Sequence, residues 1–516
     1  MTDPFVHLHV ASGYSLRYGA SHPATLVARA AEHGMDTLAL TDRDGLYGAV
    51  KFVKVCRSAG IRPVFGVDLA VSPAAHPALR AGTARTTPAR GGVSVDPRLP
   101  RVTLLARTGK GWASLARLIS ATHLGGERGT PVSSLALIAE HSEGVLVLLG
   151  PDSEVGRALA DRRPDLARAH LARWREALGR HHVLAEVVHH RAKGDRVRAS
   201  ALLGFAAEQR LPAVLTNAVR YAEARDAPTA DVLDSARRLV PLDPRHIDRR
   251  NAEGHLKSGK QMAEIAEEIV GPDRDAASRL LAATRRVADR CAVDPRADLG
   301  IGEVHFPELR RPGEEAAVPQ EVLRLRCEAG FGRRSMTPND DVRRRLDDEL
   351  DVIGTRGYPS YFLTVADVTD LIRSMKVRVA ARGSGAGSLV NYLLGISDVD
   401  PIRHRLLMER FLSPLRQALP DIDVDVESAR RMEVYDAILD RFGAERCSCV
   451  SMMDTYRVRH AIRDVGAALG MPPAEIDTIA KAFPHIRANQ VKAALRDLPE
   501  LQASGLGQDQ LKVLFD

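Results

Sequence analysis

The chain has 516 residues, 45% of them hydrophobic, with a formal net charge of +7. This length suits roughly three domains of about 150 residues each, and the hydrophobic share supports ordinary globular cores. No apolar run approaches the ~20 residues of a membrane span, which excludes a transmembrane protein, and the sequence predicts no signal peptide. The mild basic excess is compatible with nucleic acid as a partner.

Cysteine usage indicates a reducing compartment. The five cysteines are scattered and form no even framework: Cys56, Cys291, Cys327, Cys447 and Cys449. We therefore expect a cytoplasmic protein. The Cys447-Ser448-Cys449 stretch is a possible fragment of a zinc site, but no second cysteine pair accompanies it.

The first half of the chain alternates strand and helix patterns. Alternating residues over Phe5–Val10 predict a strand that places His7 and His9 on one face. Later apolar runs predict six more strands: Thr37–Leu40, Pro63–Leu69, Val102–Ala106, Val145–Leu149, Val183–Val188 and Ala213–Thr216. Repeated βα units imply an α/β fold with a mostly parallel sheet or barrel. Residues 74–100, rich in Pro, Gly, Ala, Thr and Arg, read as a surface insertion.

Polar residues cluster where the predicted strands end. In a β/α barrel, ligands lie at the carboxyl ends of the strands. The residues that fall there are His7, His9, Asp42, Asp68 and His190. Histidine and carboxylate ligands suit zinc, manganese or iron, so this end of the sheet is a candidate metal site.

This half resembles the PHP (polymerase and histidinol phosphatase) domain. The resemblance rests on Phe5-Val-His-Leu-His9, Leu40-Thr-Asp-Arg-Asp-Gly-Leu-Tyr-Gly-Ala-Val50, Phe65-Gly-Val-Asp68 and Asn217-Ala-Val-Arg-Tyr221. It implies that residual metal ligands remain at four positions: His7, His9, Asp68 and His190. It also implies that more than half of the usual ligands are replaced, by Tyr18, Arg43, Pro151 or its neighbours, Ala218 and Arg220.

Two of these replacements are arginines, whose fixed charge repels cations. We therefore expect residues 1–290 to form a PHP domain that has lost its metals and its hydrolytic site. Single-metal binding by His7, His9 and His190 and an active phosphoesterase remain open as alternatives.

The middle of the chain is helical and charged. Helices are predicted at Gly259–Val270, Asp273–Ala292, Gln320–Gly330 and Asp340–Ile353, and residues 307–319 read as a link between domains. The charge run of the fourth helix indicates a solvated face.

A glycine-serine turn, Arg382-Gly-Ser-Gly-Ala-Gly-Ser388, follows the strand-like Val377–Ala380 and opens a helical pattern over Leu389–Leu394. Glycines let the backbone approach an anion, and a helix N-terminus offers free N–H groups. Ser384 and Ser388 add hydroxyl groups, and Arg382 adds a guanidinium suited to phosphate. Alone, an ordinary strand-to-helix turn explains this pattern equally well.

The stretch Pro420-Asp421-Ile-Asp423-Val-Asp425 alternates carboxylate and aliphatic residues. In an extended strand the three aspartates share one face and repel each other. Divalent cations relieve that repulsion, and a two-metal site needs such a cluster to hold the attacking and leaving oxygens. The alternative is an acidic strand edge without a bound ion.

The order of these motifs resembles the palm of polymerase-β-type nucleotidyltransferases. With Gly357-Tyr-Pro-Ser-Tyr-Phe-Leu363, Asp400-Pro401 and Glu409-Arg-Phe-Leu-Ser-Pro414, the chain resembles the catalytic alpha subunit of bacterial DNA polymerase III, the C-family polymerase. The resemblance implies that Asp421 and Asp423 hold two Mg²⁺ ions. It also implies that the primer 3′-hydroxyl attacks the α-phosphate of a dNTP and releases pyrophosphate. The residues expected at the dNTP phosphates are Arg382, Gly383, Ser384, Ser388 and Arg410.

The last part of the chain resembles the family's thumb. Helices are predicted at Val434–Phe442, Val458–Leu469, Ala474–Phe483 and Val491–Leu498. The clustered Arg457, Arg459 and Arg463 are candidates for binding duplex phosphates, although a solvated helix face explains them too. We assign residues 291–450 to the first part of the palm and 451–516 to an incomplete thumb. Residues 452–456 depart from the replicative pattern.

The resemblance also implies missing parts. The family's third catalytic aspartate, its fingers and its sliding-clamp-binding region lie beyond the thumb. We therefore expect an N-terminal fragment that is inactive alone and meets the clamp and other polymerase subunits through the remaining part. Primer-template DNA and dNTPs are the expected substrates, and no membrane partner is expected.

Three motifs, Gly19-Ala-Ser-His-Pro23, Asn251-Ala-Glu-Gly-His255 and the Pro420–Asp425 stretch, favour the error-prone, lesion-bypass branch, whereas the glycine-serine turn favours the replicative one. Three functions compete: part of a DNA polymerase, a PHP phosphoesterase, and a noncatalytic DNA-binding fragment.

Overall fold

The computed structural model describes residues 3–73, 98–126, 131–308, 318–412, 420–443, 446–450, 456–503 and 511–515. Most of the predicted insertion at 74–100, and all but the last residue of segment 452–456, lie outside these ranges. The chain forms two compact units. The first contains Met1–Gly302 and Met453–Asp516, and the second contains Glu303–Met452. In the described ranges, no helix is long and apolar enough to cross a membrane.

The first unit is built on a six-stranded mixed sheet. Its strands are β1 (Thr37–Arg43), β2 (Arg62–Ala70), β3 (Arg101–Ala106), β4 (Val145–Leu149), β5 (Val183–Val188) and β6 (Ala213–Thr216), paired in that order. The strands predicted from the apolar runs are confirmed, because continuous apolar runs are typical of strands covered on both faces. The sheet is less parallel than predicted, since β3 runs antiparallel to both β2 and β4.

The predicted strand over Phe5–Val10 is wrong as a regular strand, since only isolated bridges form near it. The segment is nevertheless extended alongside the sheet. The Ala39 N–H of β1 donates to the His7 carbonyl over 3.0 Å, and the Val219 N–H, just after β6, donates to the His9 carbonyl over 2.9 Å. The segment therefore lies between the two edges of the sheet and curls it towards a barrel.

Ten α-helices accompany this sheet in the ranges that the structure describes. They are α1 (Pro23–Glu32), α2 (Ala49–Ala59), α3 (Gly109–Leu124), α4 (Leu135–Glu140), α5 (Glu154–Ala160), α6 (Pro164–Leu178), α7 (Asp195–Glu208), α8 (Ala227–Arg238), α9 (Gly259–Val270) and α10 (Arg274–Asp289). Helix α9 begins after Ser258, whose hydroxyl accepts from the Gln261 N–H in a capping box. The apolar stripes of these helices bury their side chains with the strands, so this part of the chain is an α/β domain.

The second unit packs helices around a short two-stranded sheet. Its elements are α11 (Pro319–Arg333), α12 (Asp340–Thr355), α13 (Pro359–Ser374), β7 (Val379–Arg382), α14 (Leu389–Leu393), β8 (Asp423–Val426) and α15 (Arg431–Phe442). Leu346, Leu350, Phe362 and Leu393 are among its buried core residues. A methyl group on Gly330 of α11 would lie 2.4 Å from the Leu393 carbonyl, so α11 and α14 approach too closely for a larger residue.

Five α-helices are described in the terminal part of the first unit. They are α16 (Val458–Ala468), α17 (Pro473–Ala482), α18 (Val491–Asp497), α19 (Pro499–Ala503) and α20 (Lys512–Phe515). The Leu242 N–H, after α8, donates to the Ala468 carbonyl over 2.7 Å, and Arg17 Nε donates to the Tyr456 hydroxyl over 3.2 Å. The segment predicted to be an incomplete thumb thus packs on the first part of the chain.

Candidate functional site

The candidate site of the second unit lies on the β7–β8 pair. The strands are antiparallel, and the register sets Arg382 opposite Asp423 and Ala380 opposite Asp425. Ile422 is buried in the core, whereas Asp421 and Asp425 are exposed. This matches the predicted alternation of apolar and acidic faces. Strand β8 begins only at Asp423, however, so Asp421 precedes the ladder.

Arg382 is the cation of this cluster. Its Nε donates to the Asp425 carboxylate over 3.0 Å, and its guanidinium lies 3.8 Å from Asp423. The hydrogen bond to Asp425, followed by the charges of Asp425 and Asp423, raises the pKa of Arg382. Asp425 therefore holds Arg382 beside the two carboxylates that the sequence predicts as metal ligands.

The glycine-serine turn follows Arg382 directly. Residues Gly383–Gly387 form a 3₁₀ turn, and Gly383 has a φ of +75°, which favours glycine. A methyl group on Gly383 would lie 3.5 Å from the Asp423 carboxylate. Gly383 and Ser384 are exposed. The structure thus places the backbone predicted to bind phosphate next to a carboxylate predicted to bind metal.

Ser388 has a different environment from the one predicted. It is buried, its hydroxyl donates to Glu349 over 2.9 Å, and it accepts from the Asn391 N–H over 3.2 Å. These contacts make Ser388 the N-cap of α14 rather than an exposed phosphate ligand. Arg410 lies exposed in the single turn Met408–Arg410.

Sequence reasoning missed Glu349, a buried carboxylate of α12. Besides the Ser388 hydroxyl, it accepts the N–H groups of Leu389 and Val390, each over 3.0 Å. Burial raises the pKa of Glu349 against the effect of these donors. The only sequence signal was Arg345, one turn earlier, which pairs with Glu349 over 3.1 Å.

Arg345 also donates to the Gly387 carbonyl over 2.7 Å. Helix α12 therefore braces the end of the glycine-serine turn through both Arg345 and Glu349. The prediction of a solvated charge run on α12 is wrong for this pair, since Glu349 is only 2% exposed.

The predicted histidine ligands of the first unit are enclosed and bonded to protein. His7 Nε2 lies 2.8 Å from the Lys257 carbonyl, and His190 Nε2 lies 2.8 Å from the Asn217 carbonyl. A carbonyl only accepts, so each Nε2 carries a hydrogen, and the lone pair of each neutral ring lies on Nδ1. In His7 this Nδ1 is buried and has no hydrogen-bond partner among the described residues. Burial lowers the pKa of His7 to about 3 and that of His190 to about 4. Both side chains are therefore neutral near pH 7.

The other two predicted ligands are held by charged partners. Asp68 accepts from Arg43 Nε over 3.1 Å and from Arg101 Nε over 3.0 Å. Burial works against ionisation of Asp68, but Arg101 and Arg43 hold its pKa below the usual range. His9 Nδ1 lies 2.7 Å from Glu186; burial opposes protonation of His9, but this carboxylate raises its pKa. A buried carboxylate neutralised by two guanidinium groups is a poor metal ligand.

Three of the residues predicted to replace metal ligands, Tyr18, Arg43 and Arg220, contact one another. The Tyr18 ring lies between the guanidinium groups of Arg43, 3.4 Å from its centroid, and Arg220, at 3.9 Å. Arg220 pairs with the buried Asp234 over 2.8 Å. Asp42 instead accepts hydrogen bonds from Ser12 and Ser15, and burial raises its pKa to about 6. Stacked cations and their acidic partners thus lie beside the residual histidines.

Among the residues that the structure describes, no group of three or more His, Cys, Asp or Glu side chains is arranged to hold a metal ion. In the second unit, Asp421 and Asp423 supply two carboxylates of the hard oxygen type that Mg²⁺ prefers. Their donor type fits a magnesium ion, and their exposure leaves room for water or phosphate oxygens.

The arginines predicted to bind DNA lie on α16. Arg457 is exposed at its N-terminus. Arg459 Nε donates to the Phe483 carbonyl over 2.9 Å, and Arg463 pairs with Asp477 over 2.9 Å. Two of the three charges are thus engaged within the terminal helices, and binding of duplex phosphates stays a prediction.

Comparison with known proteins matches both halves of the chain. Residues 7–190 match the PHP domain model, and residues 321–516 match the model of the bacterial DNA polymerase III alpha NTPase domain. An error-prone DNA polymerase of Symbiobacterium thermophilum is 34% identical over 97% of this chain and 44% of its own length. An error-prone DNA polymerase of Nocardia farcinica is 33% identical over 93% of this chain and 44% of its own length.

A DNA polymerase III subunit alpha of Treponema pallidum is 31% identical over 93% of this chain and 39% of its own length. The chain therefore spans less than half the length of these curated relatives. Replicative and error-prone relatives match it at similar identity, so these values do not separate the two branches.

Proposed function

We propose that this chain, which belongs to the bacterial DNA polymerase III alpha family and carries its PHP domain, is part of a DNA-directed DNA polymerase. It would contribute to the addition of dNTPs to a primer 3′ end, in replication or error-prone lesion bypass. The observation that best supports this proposal is the position of Asp423, which lies opposite Arg382 and beside Gly383. Asp421, two residues before Asp423, is exposed.

The chemistry follows from the ligand types at this site. Asp421 and Asp423 would hold Mg²⁺, and the bound ions would activate the primer hydroxyl and stabilise the charge on the leaving pyrophosphate. The exposed backbone of Gly383 and the hydroxyl of the exposed Ser384 would be available to the phosphate groups of the dNTP. Arg382 would leave Asp425 to meet the triphosphate, because guanidinium binds phosphate oxygens in a bidentate manner.

We assign the PHP domain a structural role without phosphoesterase activity. Asp68 is neutralised by Arg43 and Arg101, and the fixed charges of these arginines repel a cation. A phosphatase assay of the purified chain with Mn²⁺ tests this assignment. Turnover that His7→Gln abolishes would favour the phosphoesterase instead.

The proposed partners of the chain are DNA and other proteins of the polymerase. Primer-template DNA would contact the basic start of α16 at Arg457, Arg459 and Arg463 without sequence preference. Residues 291–450 would act as the first part of a palm and residues 451–516 as part of a thumb. The sliding clamp and other polymerase subunits would be further partners in the cytoplasm, and the chain alone would show little primer extension.

Asp421→Ala and Asp423→Ala test the polymerase assignment. In a full-length polymerase that contains this sequence, we expect either substitution to abolish primer extension. Unchanged extension would contradict the proposal. Binding of primer-template DNA by the chain, measured with and without dNTP, separates it from a noncatalytic DNA-binding role, for which added dNTP has no effect.

A further inference from the structure

Tyr361 links the core of the second unit to the candidate metal ligands. It lies in the first turn of α13, and its hydroxyl accepts a hydrogen bond from the Ile422 N–H over 3.1 Å. Ile422 is the residue between Asp421 and Asp423. A single hydroxyl therefore holds the peptide that joins the two carboxylates.

This contact lies where the sheet gives no support. The pairing of β7 with β8 begins at Asp423, so Asp421 and Ile422 are outside the ladder. The Ile422 side chain anchors this stretch from the core, but a side chain in an apolar core leaves the backbone free to rotate. The hydrogen bond to Tyr361 adds the directional restraint that a ladder bond supplies elsewhere.

The Tyr361 ring is itself fixed. It packs against Phe362, with ring centroids 5.9 Å apart, and against Phe306 at 6.5 Å. Burial, followed by the charges of Asp421 and Asp423, raises the pKa of Tyr361, so the hydroxyl stays protonated.

We propose that Tyr361 is a positioning residue, whose hydroxyl holds Asp421 and Asp423 at the separation needed to bind a divalent cation. This inference rests on the proposed function, because it assigns Tyr361 to the same metal site. Because an aromatic ring alone cannot accept the Ile422 N–H in this way, the hydroxyl is needed at this position as well as the ring.

The test is a Mn²⁺ titration of the 516-residue chain, in which electron paramagnetic resonance measures the concentration of free Mn²⁺. Tyr361→Phe keeps the ring and removes the hydroxyl, and we expect about fivefold weaker Mn²⁺ binding, the effect of one neutral hydrogen bond. Tyr358→Phe is the matched control, since Tyr358 also packs on Phe306 and its hydroxyl makes no hydrogen bond among the described residues. It should bind Mn²⁺ as the unchanged chain does.

Hydrogen exchange of the peptide 420–426 gives a second readout. We expect faster exchange in Tyr361→Phe, because the Ile422 N–H loses its acceptor, and unchanged exchange in Tyr358→Phe. A purely structural role would lower the thermal midpoint without changing the Mn²⁺ affinity of the folded chain, and that result would overturn the inference.

A double variant, Asp421→Asn with Asp423→Asn, separates the two proposals. If it loses Mn²⁺ binding while Tyr361→Phe binds normally, the role of Tyr361 is refuted and the metal site stands. If the double variant binds Mn²⁺ like the unchanged chain, the metal site of the proposed function is refuted as well.

Discussion

Asp68 in the first unit and Asp423 in the second both lie beside arginine, but in opposite environments. Asp68 is 4% exposed and accepts from the guanidinium groups of Arg43 and Arg101, whose side chains are 16% and 14% exposed. The Asp423 side chain is 43% exposed, and Arg382, at 3.8 Å, is 64% exposed. A buried ion pair is costly to separate, whereas an exposed pair is screened by water and exchanges readily. Burial thus decides whether an acidic site is closed by protein or left open to a cation.

The largest expected difference is in stability. Asp68→Asn leaves Arg43 and Arg101 buried without their shared carboxylate, and we expect a loss of about 3 kcal/mol in the free energy of unfolding. Asp423→Asn, the matched exposed change, should cost less than about 0.5 kcal/mol. Urea unfolding of the two variants measures both. Equal losses of stability in the two variants would show that burial does not decide how strongly each aspartate is held.

The pH dependence should follow the buried histidines of the first unit. An unfolded histidine has a pKa near 6.5, whereas the pKa of folded His7 is about 3 and that of His190 about 4. Below pH 6.5 the unfolded chain therefore binds protons that the folded chain does not. Stability from these groups is present at neutral pH and is lost as the pH falls towards 4, by about 1.4 kcal/mol per pH unit for each group.

His7→Gln removes one of these two titrating groups. Urea unfolding at pH 7, 6 and 5 should show a shallower loss of stability for this variant than for the unchanged chain. The same slope in both would mean that His7 binds its proton equally in the folded and unfolded states and that its side chain is open to water.

The smallest effect concerns the brace of the glycine-serine turn. Glu349→Gln removes a buried charge that accepts from Ser388, Leu389 and Val390, and we expect a loss of about 1–2 kcal/mol. Glu328→Gln on α11, whose exposed carboxylate lies 3.8 Å from Arg343, is the control and should change little. Differential scanning calorimetry of both variants would test this, and equal midpoints would contradict a bracing role.

Local patterns predicted most of the elements near both sites. Strands β4, β5 and β6 lie at their predicted bounds, because continuous apolar runs define buried strands. The acidic alternation of β8 likewise predicted which side chains point outward. The early extended segment failed as a strand because its hydrogen bonds go to two different partners, the β1 strand and Val219.

The partners of the site residues were out of reach of sequence patterns. Glu349 and Ser388 meet across 39 positions, and Arg101 reaches Asp68 across 33, so no periodicity connects them. Tyr361 was visible only as part of a family motif, since its hydrogen bond to Ile422 spans 61 positions. Pairings of this kind are set by the tertiary fold.

The most direct test of the contrast between the two regions is elemental analysis of the purified chain. Expressed with ample zinc and manganese, the chain should carry far less than one metal ion, because Asp68 is neutralised by Arg43 and Arg101, whose fixed charges repel a cation. Added Mn²⁺ should then bind weakly and only while Asp421 and Asp423 are intact. A full equivalent of tightly bound metal that His7→Gln or His190→Gln removes would contradict the account.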